Sequence, residues 1–211
     1  MTPCVIVQSN HTAAIFVTSY MEHMAGTYAS YLWIALWTLW AISAFAAKSS
    51  VKRQSAESRL AQTVPVTLAF FLLFGRSIWP RWLLARFFPE SNAALIWAGF
   101  ALTALGVAFA ILARLWIGRN WSGTVTIKNQ HELVQNGPYR IVRHPIYTGL
   151  LMAYLGTALV HGEIRGLIGF LLLALGFGMK LRLEENFMVQ QFGGVYLAYM
   201  QRVKAVVPYL L

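Results

Sequence analysis

The sequence predicts an all-α integral membrane protein with about five transmembrane helices, and three observations carry that prediction. Of the 211 residues 58% are hydrophobic, and only 24 carry a full charge (17 basic, seven acidic), too few to coat a soluble globule of this size. The charges are clustered: segments 23–47, 60–75, 91–113 and 145–162 run for 25, 16, 23 and 18 residues without Asp, Glu, Lys or Arg, lengths that read as membrane spans. The basic residues are unequally divided between the connecting segments, as the positive-inside rule requires of a multi-pass protein. A single cysteine, Cys4, excludes a disulfide framework and any cysteine-rich zinc or iron–sulfur site.

Five spans are predicted at 28–47, 62–79, 92–113, 146–162 and 164–183. The N-terminal arm, 1–27, has no Lys or Arg, and Gln8, Ser9, Asn10 and His11 interrupt its apolar residues, so it does not read as a cleaved signal peptide. Trp33, Trp37 and Trp40 in span one, and the aromatic, basic stretch RSIWPRWLLARFF at 76–88, read as interface anchors. Span five has only 14 charge-free residues, 166–179, and reaches spanning length if Arg165 and Lys180 snorkel from its ends. The tight linker His161-Gly162-Glu163 favours an antiparallel pair of spans four and five. With this count 13 of the 17 basic residues fall on one side of the membrane, which places the C-terminus in the cytoplasm and the N-terminus outside. The net charge of +10 is therefore read as topology and lipid contact, not as a nucleic-acid surface.

Composition divides the chain into an N-terminal transmembrane region of three spans, 1–113, and a second region, 114–211. The second opens with a 32-residue polar connection, 114–145, far longer than two neighbouring helices need and too aromatic for disorder. That connection ends in NGPYRIVRHPIYTG. Asn136-Gly137-Pro138 marks a turn, and Pro145 suits the first turn of span four, which holds Arg140, Arg143 and His144 at a helix mouth that favours an anion. The other charged feature is KLRLEE at 180–185. Lys180 and Glu184 share one helix face at i, i+4, and Arg182 and Glu185 share another at i, i+3. The chain has seven Glu and no Asp, and its only adjacent acids lie where span five leaves the membrane. Gly149, Ala153 and Gly156 form a small-residue stripe suited to helix packing. His11, His23 and His161 have no metal-ligand spacing, and Gly193-Gly194 reads as a helix terminus, since no strand with a G-x-G-x-x-G turn precedes it.

Taken in order, GRNWSG (118–123), HELV (131–134), NGPYR (136–140), RHPIYTG (143–149), the Glu184-Glu185 pair, FGGVYLAYMQRV (192–203) and VVPYL (206–210) resemble the isoprenylcysteine carboxyl methyltransferases and their bacterial and archaeal relatives. The resemblance covers residues 112–209. It implies an integral-membrane enzyme that uses S-adenosylmethionine, with a cytoplasmic cofactor pocket formed by the C-terminal half and a lipid-like or prenylated acceptor entering from the bilayer. Carried over by position, it implies cofactor contacts at His131, Glu132, Leu133, Val134, Tyr139, His144, Pro145, Ile146, Tyr147 and Glu184. Where the family often has an arginine thought to meet the substrate, this chain has Lys180, a point charge in place of a planar fork. A second departure is RVKAVVP at 202–208, where many relatives have proline directly after RV; it is expected to touch only the tail.

The residue types suit that chemistry independently. A sulfonium methyl donor offers an adenine, ribose hydroxyls, a carboxylate and an ammonium. Val134, Tyr139 and Tyr147 supply apolar and aromatic contact, Glu184 an acid, and Arg143 or His144 a cation. Lys180 and Arg182 are expected to hold the acceptor. No general base is needed for a carboxylate acceptor, whereas a thiol or amine would call on His144 or Glu185. No metal is expected. Two rivals remain: a membrane sterol or fatty-chain reductase using NADPH, whose RHPNYxGE segment differs at Ile146 and Leu150, and a non-enzymatic lipid-binding membrane protein.

Overall fold

The computed structural model describes residues 3–44, 50–53, 55–88, 92–118, 126–128 and 133–208. Among them the chain is helical: α1 (Pro3–Ala44), α2 (Ala56–Phe74), α3 (Ala93–Ile117), α4 (Pro145–His161), α5 (Ile164–Phe192) and α6 (Gly194–Arg202). Two short strands, β1 (Ser50–Arg53) and β2 (Thr126–Lys128), pair antiparallel and join the α1–α2 connection to the long loop after α3. By length and composition α3 and α5 are long and apolar enough to cross a membrane.

Each predicted span overlaps a helix, but α2 ends at Phe74, five residues before the predicted end of span two, and residues 45–47 of span one lie outside the described residues. Ser55 opens α2 by accepting from the Ser58 N–H at 3.2 Å, and Asn92 opens α3 by accepting from the Leu95 N–H at 3.0 Å. Helix α1 starts at Pro3, not at residue 28, because between Pro3 and Gly26 no Pro or Gly stops it. Its 42 residues rise about 63 Å. Helix α5 continues to Phe192, nine residues past the predicted span end, which places Glu184 and Glu185 inside a helix.

Helices α3 and α4 make the most extensive contact, and glycine explains it. A Cβ on Gly106 would lie 2.4 Å from the Ala153 N, and one on Gly149 2.6 Å from the Gly106 O. The small-residue stripe of α4 therefore meets a matching stripe of α3, Gly99, Thr103, Gly106 and Ala110, backbone against backbone. Helix α1 joins through a buried polar knot: Trp33 Nε1 donates to Thr157 Oγ1 at 3.0 Å, and Thr157 Oγ1 lies 3.2 Å from Thr103 Oγ1. On the other flank α2 packs on α5, and the Tyr154 hydroxyl of α4 donates to the Ala69 O of α2 at 2.6 Å. The resulting core includes Trp33, Leu36, Leu73, Tyr154, Leu173 and Phe177, and it continues without a break into Tyr147.

The end of the bundle where α4 finishes corrects two expectations. Arg165 does not snorkel. It is 2% exposed, bonded to Glu163 and to the Leu72 and Leu73 carbonyls that end α2, while Arg76 reaches Glu163 at 3.0 Å. A helix with unsatisfied C-terminal carbonyls is a better partner for a buried guanidinium than the distant interface. The 76–88 segment does more than anchor. Trp82 is 64% exposed as an interface residue would be, but Leu83 and Ala85 accept from the Arg165 and Ile164 N–H groups at 3.0 and 2.9 Å, and Arg86 reaches Glu22 of α1 at 2.6 Å.

Candidate active site

At the opposite end, the N-terminus of α4 meets the C-terminal half of α5. Pro145 occupies the first helical position and is fully buried, with His144 in non-helical geometry just before it. The Arg143 and His144 N–H groups donate outward, to the Lys204 and Ala205 carbonyls at 2.8 and 2.9 Å. Thr148 Oγ1 donates to the Val206 O at 2.7 Å. The tail after α6 is thus a strap along the RHP segment, held by its main-chain carbonyls.

Four side chains form one connected cluster, and a fifth closes it. Arg143 Nη2 lies 2.6 Å and Nε 2.8 Å from Glu185 Oε1, while Nη1 donates to the Met200 and Val203 carbonyls. His144 Nε2 lies 3.2 Å from the same Glu185 oxygen, and its Nδ1 lies 3.5 Å from Glu184 Oε2. Tyr147 donates its hydroxyl to Glu184 Oε1 at 2.6 Å. The Tyr147 ring stacks parallel to His144 with centroids 5.6 Å apart and on Phe177 at 4.7 Å, and Lys180 Nζ lies 5.6 Å over its face.

The i, i+3 pair expected between Arg182 and Glu185 gives way to this cluster. Arg182 is exposed, and Glu185 turns to Arg143 and His144, 42 and 41 residues away, because a half-buried acid gains more from a guanidinium and a ring nitrogen in a partly dry site than from one cation in solvent. Burial by itself would hold the His144 ring neutral, but the hydrogen bonds and charges of Glu184 and Glu185 outweigh it and raise its pKa above the ordinary histidine value. The ring is therefore held between two carboxylates that favour its protonated form.

A second layer holds the loop that leads in. Asn136 Oδ1 accepts from Trp116 Nε1 at 2.8 Å, and Gly137 (φ +56°) lies flat on that indole: a Cβ there would fall 2.3 Å from Trp116 Cε2, so only glycine fits. Tyr139 is buried and takes the Tyr199 hydroxyl on its carbonyl. Burial first, then the charge of Glu184, pushes the Tyr139 phenol upward, and burial raises Tyr199 to about 12. Leu133, Val134 and Ile146 are half-buried in the same region, and Gln135 Oε1 accepts from Arg202 at 3.2 Å. His131 and Glu132 lie outside the described residues.

The structure therefore brings Arg143, His144, Tyr147, Lys180, Glu184 and Glu185 together, with Tyr139 one layer behind, and leaves Arg182 on the outer face. Reading the residues missed the strap carbonyls of 203–206 and the Trp116–Asn136 contact. Backbone acceptors leave no trace in residue types, but a Trp within reach of an Asn-Gly turn was a signal open to reading.

Known proteins resemble this chain in sequence and in fold. The profile of the phospholipid methyltransferase family matches residues 94–194. A probable protein-S-isoprenylcysteine O-methyltransferase of Oryza sativa subsp. indica is 30% identical over 131 residues, 60% of this chain and 69% of the rice protein. The protein-S-isoprenylcysteine O-methyltransferase of Dictyostelium discoideum is 26% identical over 191 residues, 88% of this chain and 76% of its own. Among solved structures, the eukaryotic intramembrane Ras methyltransferase, isoprenylcysteine carboxyl methyltransferase, superposes with a TM-score of 0.54 at 23% identity, covering 70% of this chain. The chain spans about half (52%) of that protein's length. The helical order, the clustered RHP and Glu-Glu residues and these matches lead to one conclusion: the chain belongs to the isoprenylcysteine carboxyl methyltransferase family.

Proposed function

We propose that the protein is an integral-membrane methyltransferase that moves a methyl group from S-adenosylmethionine to the carboxylate of a prenylated or lipid-like acceptor. The observation that carries the reading is the convergence of His144, Tyr147 and Glu184 at the mouth of α4, within a chain whose relatives are isoprenylcysteine O-methyltransferases. The donor set fits the cofactor: a carboxylate and a hydroxyl suit ribose and ammonium groups, and the stacked Tyr147 and Phe177 offer an aromatic surface. Bound there, S-adenosylmethionine would supply an electrophilic methyl on a sulfonium.

In this reading His131, Glu132, Leu133, Val134, Tyr139, His144, Pro145, Ile146, Tyr147 and Glu184 hold the donor. The Glu184 carboxylate, fixed by the Tyr147 hydroxyl and the His144 ring, accepts from donor hydroxyls or ammonium with little reorganisation. Lys180 and Arg182 serve the acceptor, at the point where a lipid-tailed substrate would present its polar head. A cation there orients the carboxylate, and the low charge of the surrounding helices keeps water out, so displacement depends on alignment. The catalytic region is 114–211. Five spans cross the bilayer, with the site and the C-terminus in the cytoplasm and the N-terminus outside. Membrane lipids surround the bundle.

Calorimetric titration of the detergent-solubilised protein tests the reading. S-adenosylhomocysteine should bind and NADPH should not. Binding of NADPH alone would assign the reductase chemistry, and binding of neither would leave a lipid-binding protein. A reporter fused after Leu211 that is active only on the external side would overturn the topology.

A further inference from the structure

Arg143 and Glu185 are the two site residues whose expected partners are not the ones they have. The sequence offered Arg143 or His144 as the cation for the donor carboxylate and paired Glu185 with Arg182. Instead they meet each other at 2.6 and 2.8 Å, with Arg143 8% and Glu185 14% exposed. The remaining Arg143 bonds run to the Met200 and Val203 carbonyls, at the end of α6 and the start of the strap. A guanidinium has five donors in a fixed fork, and here that fork is spent on one carboxylate and two main-chain oxygens. The Glu185 oxygen that receives Arg143 also lies 3.2 Å from His144 Nε2, and the other nitrogen of that ring faces Glu184. The contacts are ordered: α6 and the strap hold Arg143, Arg143 holds Glu185, Glu185 holds the His144 ring, and the ring holds Glu184.

We infer that Arg143 and Glu185 touch neither donor nor acceptor but form a positioning pair, anchored by the C-terminal strap, that orients the His144 ring and through it the Glu184 carboxylate. This rests on the assignment of His144 and Glu184 to the donor pocket, and it adds that the pocket's geometry is set from behind, by α6 and residues 203–206. A carboxylate that accepts from a ring nitrogen fixes which way the imidazole points, and the opposite nitrogen is then presented to its own partner. The strap contributes four main-chain acceptors: Val203 O takes the Arg143 guanidinium, and Lys204 O, Ala205 O and Val206 O take the Arg143 N–H, the His144 N–H and the Thr148 hydroxyl. The described charged and titratable groups around the ring are Arg143 beside it, Glu184, Glu185 and Lys180 of α5, Tyr147 of α4, Tyr196 and Tyr199 of α6, and Lys204 of the strap.

The test is a double-mutant cycle with two readouts in the detergent-solubilised full chain. Calorimetry with S-adenosylhomocysteine on wild type, Arg143→Met, Glu185→Gln and the double variant should show each single change weakening binding about tenfold, with the double no worse than the weaker single. Weakening by Arg143→Met while Glu185→Gln binds as wild type or tighter would make Arg143 a direct ligand and overturn the inference. Unchanged binding in both would reduce the pair to a surface ion pair and overturn it as well. The second readout needs no donor. NMR titration of the labelled histidines in the unliganded protein, with His144→Gln to assign the resonance, should show the His144 midpoint moving down by about one pH unit in Glu185→Gln. An unmoved midpoint would overturn the inference even if the protein bound no S-adenosylhomocysteine, so failure of the donor assignment and failure of the positioning pair are distinguishable. Should Arg143→Met not fold, Arg143→Lys keeps the charge without the fork. It should lose several-fold in affinity with kcat falling more than acceptor KM rises, and full retention of both would overturn the inference.

Discussion

Buried ion clusters occupy both ends of this helix bundle, and they differ in what their partners are. At the α4–α5 turn, Arg165 and Glu163 are each 2% exposed, and their bonds close on one another, on Arg76 and on the carbonyls that end α2. Arg76 keeps 69% of its side-chain surface, while the partners of Arg165 other than Glu163 are main-chain carbonyls. At the α4 mouth the cluster keeps 8 to 21% of its side-chain surface, its acids bind side chains from two other segments, and one member is a histidine. The first cluster ties the end of α2 to the α4–α5 turn; the second joins a histidine ring and two carboxylates from separate segments at the mouth of a helix. Burial of an ion pair is weak evidence for function in itself, and the histidine ring shared between two carboxylates separates the second cluster from the first.

The largest test of the contrast falls on the closed cluster. Glu163→Gln strands Arg165 in the core and should lower unfolding stability by about 3–5 kcal/mol, while S-adenosylhomocysteine affinity per folded molecule stays as in wild type. Equal stability in chemical denaturation would show that the two clusters are alike in being dispensable to the fold. Next, Glu184→Gln or His144→Ala should weaken donor binding by about 1.5–3 kcal/mol, roughly ten- to hundredfold, with the protein still folded. Unchanged calorimetric affinity in both would return the site cluster to a structural role.

The pH dependence sharpens the comparison further. The His144 pKa in the fold lies above that of an unfolded histidine, about 6.5. Its contribution to stability is therefore complete below that value and is lost as pH rises through the folded pKa. Melting temperature should fall on this alkaline side, and His144→Gln should flatten that part of the profile; a slope unaltered in the variant would locate the titration elsewhere. Smallest, Lys180→Met should raise acceptor KM or lower kcat a few-fold, with donor affinity nearly unchanged. A donor loss as large as that of Glu184→Gln would move Lys180, which lies over the Tyr147 ring, into the cofactor pocket.

The contrast was only partly visible before folding. Pro145 and the charge-free 145–162 segment located α4, and the Gly149–Ala153–Gly156 stripe indicated its packing, because capping and close approach depend on residues near in sequence. The i, i+3 and i, i+4 rules brought Lys180 near Glu184 but mispaired Glu185 with Arg182, since helix spacing counts neighbours on one helix and is blind to a better partner on another. Arg165 failed for the same reason: snorkelling was argued from its position at a span end, and the carbonyls it binds belong to α2.

By itself the sequence determined the helical class, the approximate place of the long helices and the two motifs, RHPIY and KLRLEE, that the fold brings together. Those depend on hydrophobic length, on charge distribution and on residue type, all properties that the linear chain carries. Only the tertiary structure decided that α1 is one continuous helix of 42 residues, that Arg165 is buried, and that residues 203–206 strap the RHP segment. The strap acts through main-chain carbonyls, which are chemically identical at every position. Which of them becomes an acceptor is settled by where the chain passes in space.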